Sequence, residues 1–160
     1  MLEQKTIELL LAQTLTIAVA ESCTGGLLAK RLTDMPGASA AFIGGAVAYA
    51  NEAKTVLLGV PAALIAEFGA VSEAVAKAMA EGVRTRLGSD FSLGITGVAG
   101  PDGGTAEKPV GTVYIALASP SETTVHCVQL GHGRACVREK ATDYALNMIC
   151  CAIAAQDSLL

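Results

Sequence analysis

The sequence predicts a single α/β domain in three layers, with helices on both faces of a mixed, largely parallel sheet, and three observations carry that prediction. Three short apolar, β-rich runs are each separated from the next by helical patterns, which requires crossover connections and favours parallel neighbours. Two further β-rich runs are joined only by "SPSE", which makes a C-terminal hairpin ahead of a last helix. Length is the third: 160 residues make about one domain, enough to bury roughly two-thirds of the unfolded surface. No linker, repeat or low-complexity tract divides residues 1–160.

Each element has a local cause. "MLEQKTIELLLAQTL" places Ile7, Leu10 and Leu11 on one helical face. The apolar run Leu15 to Ala20 is the first strand, and Thr24 to Leu32 the second helix, broken by "MPGASA". "FIGGAVAYA", Phe42 to Ala50, reads as a strand needing close backbone approach at Gly44 and Gly45. In "NEAKTVLLGV" Asn51 serves as N-cap and Gly59 ends the helix before Pro61, which puts Lys54 in the first helical turn. "PAALIAEFG" is a short helix. The long one after it is capped by Ser72, repeats Val71, Val75, Met79, Val83 and Leu87 every fourth residue, and stops at Gly88. "DFSLGITGV" is the third strand and "AGPDGGTAEKP" a polar loop. "VGTVYIALA" and "TTVHCVQL" form the hairpin, and the last helix runs from Arg134 to about Ala154 with Val137, Ala141, Tyr144, Ala145 and Met148 along one side.

Composition excludes several function classes. The chain is 52% hydrophobic, yet its apolar residues are spread among glycines and never reach the ~18 consecutive positions a membrane span needs. No membrane association is expected, and the N-terminus, with Glu3, Lys5 and Glu8 among its leucines, reads as a helix rather than an export signal. A cytoplasmic protein is therefore expected. Five cysteines, Cys23, Cys127, Cys136, Cys150 and Cys151, with no C-x-x-C spacing imply neither a disulfide framework nor a zinc site. No metal and no cofactor are expected. A net charge of −4 without a basic block, and 4% aromatics, remove both the footprint and the stacking platforms of a nucleic-acid binder.

Ligands of open α/β sheets bind outside the carboxyl ends of the strands, where three polar segments fall: Glu21-Ser22-Cys23-Thr24-Gly25-Gly26, Tyr49 to Lys54, and Thr96 to Lys108. Ser22 and Thr24 lie where the unpaired amides of a helix start stabilise an oxyanion or phosphate, or else one of them caps that helix. Only His126 and His132 are available for a Ser-His-Asp triad, which is weakly supported. Lys54 has three readings: a base with lowered pKa and Tyr49 nearby, a phosphate anchor, or a surface lysine. Cys23 is a rival nucleophile or a small buried residue. Gly100, Asp102, Gly103, Gly104 and Thr105 form either a backbone nest for phosphate or ribose, or a long turn. Arg134, Arg138 and Lys140 open a helix whose dipole prefers acids, so they bind an anion or form a solvated cluster with Glu139.

Taken together, "TIAVAESCTGG", "GASAAFIGGAVAYANEAKTVLLGV", "GAVSEAVAKAMAEG", "ITGVAGPDGGTAEKPVGTVY" and the R-x-x-V-R of Arg134 to Arg138 resemble, in order over nearly the whole chain, the CinA C-terminal domain family. Enzymatic members of that family are nicotinamide mononucleotide deamidases. The resemblance implies a compact, oligomeric α/β/α domain, a dimer or larger, that hydrolyses nicotinamide mononucleotide to nicotinate mononucleotide and ammonia without a metal. It places the nucleophile on Ser22 and the family's Tyr and Lys on Tyr49 and Lys54. Substrate binding is expected from Glu21, Cys23, Thr24, Gly25, Gly26 and Asn51, from Gly100, Pro101, Asp102, Gly103, Gly104 and Thr105 in the glycine-rich loop, and from Arg134. Many relatives carry this domain behind a larger N-terminal domain, and His132 and Gly133 stand where relatives commonly have Gly-Asp. A nucleotide-binding regulatory domain without turnover is the alternative, opposed by Ser22, Tyr49 and Lys54 occurring together.

Overall fold

The computed structural model describes residues 1–157; the last three positions of the expected domain, 158–160, lie outside the described residues. In chain order the elements are α1 (Leu2–Ala12), β1 (Ile17–Glu21), α2 (Leu27–Thr33), a 3₁₀ turn (Ala38–Ala40), β2 (Phe42–Val47), α3 (Asn51–Leu58), α4 (Ala62–Phe68), α5 (Glu73–Leu87), β3 (Phe91–Gly97), β4 (Thr112–Ala118), β5 (Thr123–Gln129) and α6 (Arg134–Asp157). The strands form one sheet in the order β2-β1-β3-β4-β5. β1 pairs parallel with both β2 and β3, whereas β4 runs antiparallel to β3 and β5. Four strands therefore share one direction and β4 alone opposes them, as helical crossovers between the first three strands and a terminal hairpin require.

Alternation along the strands separates two cores. Ile17, Val19, Phe91, Leu93, Ile95, Val113, Ile115 and Leu117 face α1, α2 and α6 through Ile7, Leu28, Leu32, Val137, Ala141 and Ile149. On the other face Ala18 and Ala20 meet α3 to α5 through Leu58, Ile65, Val75, Met79 and Val83. The second face is built from small residues so that α5 can lie close: a side chain at Gly94 would meet the Ala76 carbonyl at 2.7 Å. Ser92 donates to the Ala80 carbonyl at 2.6 Å and fixes the helix there.

Several local readings are corrected. Leu11 is exposed and buried Thr6 takes its place, its hydroxyl donating to the Leu2 carbonyl. Val71 and Leu87 sit at the ends of the α5 stripe, where the core no longer covers them. The second helix begins at Leu27, because Gly26 is in the left-handed region at φ 93°, where glycine carries no Cβ penalty. Ala50 rather than Asn51 is the N-cap of α3, without a side-chain bond. Ser72 does cap α5, accepting from the Val75 N–H at 3.3 Å. Gly45 approaches Val19 so closely that a Cβ would meet its carbonyl at 2.7 Å.

Candidate active site

The carboxyl ends of β1, β2 and β3 open onto a cleft of about 260 Å³ lined by Ser22, Cys23, Tyr49, Asn51, Lys54, Ala70, Val71, Thr96, Val98, Gly100, Asp102, Gly103 and Arg134, among others. Each strand contributes through the turn that follows it. β1 leads to Ser22, whose N–H continues the sheet ladder onto the Ile95 carbonyl at 2.9 Å. β2 leads to Tyr49 and α3, whose fourth residue is Lys54. β3 ends beside Ser22 and brings in Thr96 and the glycine-rich loop.

Lys54 is fully buried. Its Nζ lies 3.0 Å from Ser22 Oγ and donates to the carbonyl oxygens of Ala48 and Tyr49, each at 3.0 Å. Burial lowers its pKa from the ordinary lysine value, against a smaller opposing effect of Cys23. A neutral amine has two hydrogens and one lone pair; two carbonyls take the hydrogens, and the lone pair is left for the Ser22 hydroxyl. A protonated Lys54 would have all three donors engaged, leaving none for a phosphate. The geometry sets Nζ against the Ser22 hydroxyl and two backbone carbonyls.

The turn after Ser22 sorts its amides. Gly25 donates to the Ser22 carbonyl at 3.0 Å, and Gly26, Leu28 and Ala29 all donate to the Glu21 carboxylate. Glu21, entirely buried, therefore caps α2 from the preceding strand. It lies outside the cleft lining. Gly25 and Gly26 likewise lie outside the lining, and their left-handed φ angles of 56° and 93° shape the turn. Among the described residues the amides of Cys23 and Thr24 have neither a carbonyl nor a carboxylate acceptor, and they stand next to Ser22. Two such donors beside a serine hydroxyl are the arrangement an oxyanion hole requires.

The rival nucleophile is disfavoured. Burial, aided by Glu21, pushes the Cys23 thiol up to about 11, and the thiol is a poor nucleophile until ionised. If the cleft hydrolyses an amide through Ser22, Cys23→Ala is expected to keep kcat within about twofold and iodoacetamide to leave turnover intact; loss of turnover in Cys23→Ala would assign the nucleophile to sulfur.

Tyr49 acts differently from the sequence expectation. Its backbone carbonyl holds Lys54, while its exposed hydroxyl accepts from Arg134 Nη2 at 2.8 Å. Arg134 also donates to the Gly100 carbonyl at 3.0 Å, so the start of α6 is tied to the ends of β2 and β3 across the cleft mouth. Asn51, Gly100, Asp102 and Gly103 line the cleft; Thr24, Pro101, Gly104 and Thr105 do not. Thr105 instead builds its own turn, exchanging bonds with Lys108, whose ammonium reaches the Phe68 carbonyl. His132 is exposed and outside the lining. Thr96, which opens the polar segment Thr96 to Lys108 but receives no individual role from the sequence, is buried with its hydroxyl donating to the Ala70 carbonyl at 2.8 Å. Ser92, Gly94 and Thr96 alternate with Leu93 and Ile95, so Thr96 shares the face of Ser22 and Lys54.

Compared with known proteins, residues 1–153 match the CinA C-terminal domain. The chain belongs to the CinA C-terminal domain family. A CinA-like protein of Acidobacterium capsulatum is 51% identical over 148 residues, 92% of this chain and 36% of that protein. A putative competence-damage inducible protein of Desulforudis audaxviator is 53% identical over 147 residues, again 36% of its length. The chain thus spans about a third of the curated relatives it matches. Among solved structures, the competence/damage inducible protein CihA of Agrobacterium tumefaciens superposes with a TM-score of 0.92 at 39% identity, covering 96% of this chain and 93% of that one. A CinA superfamily protein of Klebsiella pneumoniae gives 0.92 at 32% identity, covering 96% of each. In this CinA-family domain, no described helix is long and apolar enough to cross a membrane, and the described residues hold no cluster of three or more metal-ligating side chains.

Proposed function

We propose that this CinA-family domain is a nicotinamide-nucleotide amidohydrolase, working in the cytoplasm as a homo-oligomer in pyridine nucleotide recycling. The observation that carries the reading is the buried Lys54 amine 3.0 Å from the Ser22 hydroxyl, its other donors committed to backbone carbonyls.

Ser22 Oγ attacks the carboxamide carbon as its proton passes to Lys54 Nζ. The carbonyl electrons move onto oxygen, where the Cys23 and Thr24 amides receive them. When the tetrahedral species collapses the C–N bond breaks, and Lys54 returns the proton to nitrogen, so that ammonia leaves. Water then gives a proton to Lys54 and attacks the Ser22 ester. The acyl–oxygen bond breaks, Ser22 recovers the proton from Lys54, and the product acid loses its remaining proton to solvent and leaves as a carboxylate. A pyridinium ring withdraws electrons from the carboxamide and so lowers the activation the protein must supply. The phosphate is assigned to Arg134 and the Gly100–Gly103 turn at the mouth, because the cleft floor is occupied by the reacting groups.

The test is ammonia release from nicotinamide mononucleotide by the purified protein beside Ser22→Ala. Release by the first and none by the second is expected. Nucleotide binding without release by either would make the domain a binding module and the Ser22 chemistry wrong.

A further inference from the structure

Packed against the Ser22–Gly26 turn, outside the cleft lining, lies a cation that the proposed chemistry has not used. Arg138, in the second turn of α6, is half-buried and donates through Nη2 to the Thr24 carbonyl at 2.9 Å. A Cβ on Gly25 would lie 3.5 Å from the same nitrogen, so the guanidinium is packed directly against the turn. Among the described residues no carboxylate forms an ion pair with it. Its Nε is buried without a hydrogen-bond partner, and so is the Thr24 hydroxyl beside which it reaches.

Holding one carbonyl does not require a guanidinium. The Thr24 carbonyl already accepts from the Leu27 N–H at 3.1 Å, and a neutral donor would complete it without bringing a charge out of water. An unpaired, partly desolvated cation raises the energy of the resting protein. That cost is offset when negative charge develops nearby in a water-poor site, so the cation favours the transition state over the ground state.

We infer that Arg138 is a positioning residue for the oxyanion turn: it fixes the Thr24 carbonyl on the far side, keeps the Cys23 and Thr24 amides aimed at the reacting carbonyl, and presents an uncompensated positive charge to the anion formed there. The inference rests on the Ser22 reading above. It separates Arg138 from Arg134: Arg134 lines the cleft, whereas Arg138 lies outside the lining and donates to the Thr24 carbonyl.

Arg138→Gln keeps a donor for the carbonyl and removes the charge; Arg138→Lys keeps the charge. For ammonia release from nicotinamide mononucleotide, Arg138→Gln is expected to lower kcat by about 30-fold with KM within about twofold, and Arg138→Lys to stay within about fivefold of wild type. A second readout needs no turnover: the rate at which a fluorophosphonate labels Ser22. There the Oγ–P bond forms as the P–F bond breaks, fluoride leaves with the electron pair, and the serine proton passes to Lys54. The phosphoryl oxygen occupies the oxyanion site, so labelling should slow in Arg138→Gln in parallel with kcat.

An unchanged kcat in Arg138→Gln overturns the inference, as does a raised KM at constant kcat. Equal losses in both variants with a matching fall in Tm make Arg138 merely structural. If the wild type is labelled at Ser22 but releases no ammonia, the amidohydrolase reading fails and Arg138 is judged on labelling rates alone. If Ser22 is not labelled at all, both fall.

Discussion

Lys54→Met should lower kcat for ammonia release by about 10³-fold or more, about 4 kcal/mol of transition-state stabilisation. Methionine fills the buried space but offers neither a base for Ser22 nor donors for the Ala48 and Tyr49 carbonyls. Ser22→Ala should cost as much, and the double variant little more, because nucleophile and base act as one unit. Lys54→Arg is the sharper variant. It preserves a cation, so a phosphate anchor would survive with a raised KM, but a guanidinium does not give up its proton and kcat should collapse. The pH profile follows from the same chemistry. In the proposed reaction Lys54 reacts as the free amine, so kcat/KM should rise with pH and fall tenfold per unit on the acid side. Desolvation lowers the pKa, which places that limb below the ordinary lysine value of 10.5. A profile flat across the range, or Lys54→Arg with wild-type kcat, would remove Lys54 from the role of base.

The second large effect is on stability. Glu21→Gln is isosteric, yet it should destabilise the domain by about 3 kcal/mol, roughly 6–12 °C in Tm for a chain of this size. Both carboxylate oxygens are spoken for: one accepts from the Gly26 and Leu28 N–H groups at 3.1 Å each, the other from Ala29 at 2.8 Å. A glutamine must put an NH₂ where an acceptor is needed, which leaves a donor facing a donor with no water to separate them. Urea melts of the two proteins would check it. A shift under about 0.5 kcal/mol would mean that α2 is held by its packing on Leu28 and Leu32 alone. Because the same carboxylate holds the amides just beyond Ser22, the variant should also lose activity at temperatures where it remains folded.

Much of this was legible one residue at a time. The strand-to-helix position of "ESCTGG", the stop at Gly59 and the Ser72 cap depend on local φ, ψ and side-chain chemistry, and the structure places all of them close to where the sequence does. The misreadings share a cause. Leu11 was indistinguishable from Leu10 by periodicity, yet only Leu10 is buried in the core. Nothing local says that the Glu21 carboxylate, at a strand end, turns back to cap the following helix. Tyr49 was rightly grouped with Lys54, but the link is its backbone carbonyl, an atom every residue carries and no sequence pattern reveals.

The sequence by itself determined the alternation of elements and the short polar segments at the strand ends, because these follow from periodicities of two and 3.6 residues and from turn chemistry. Tertiary structure alone decided which polar groups meet. The separation of Lys54 from Ser22 by 32 positions, and of Arg138 from Thr24 by 114, is bridged by β1 lying centrally between β2 and β3 and by α6 packing across the back of the turn. Whether a lysine is a solvated charge or a buried base is set by what surrounds its Nζ, and that is a property of the assembled sheet rather than of any segment within it.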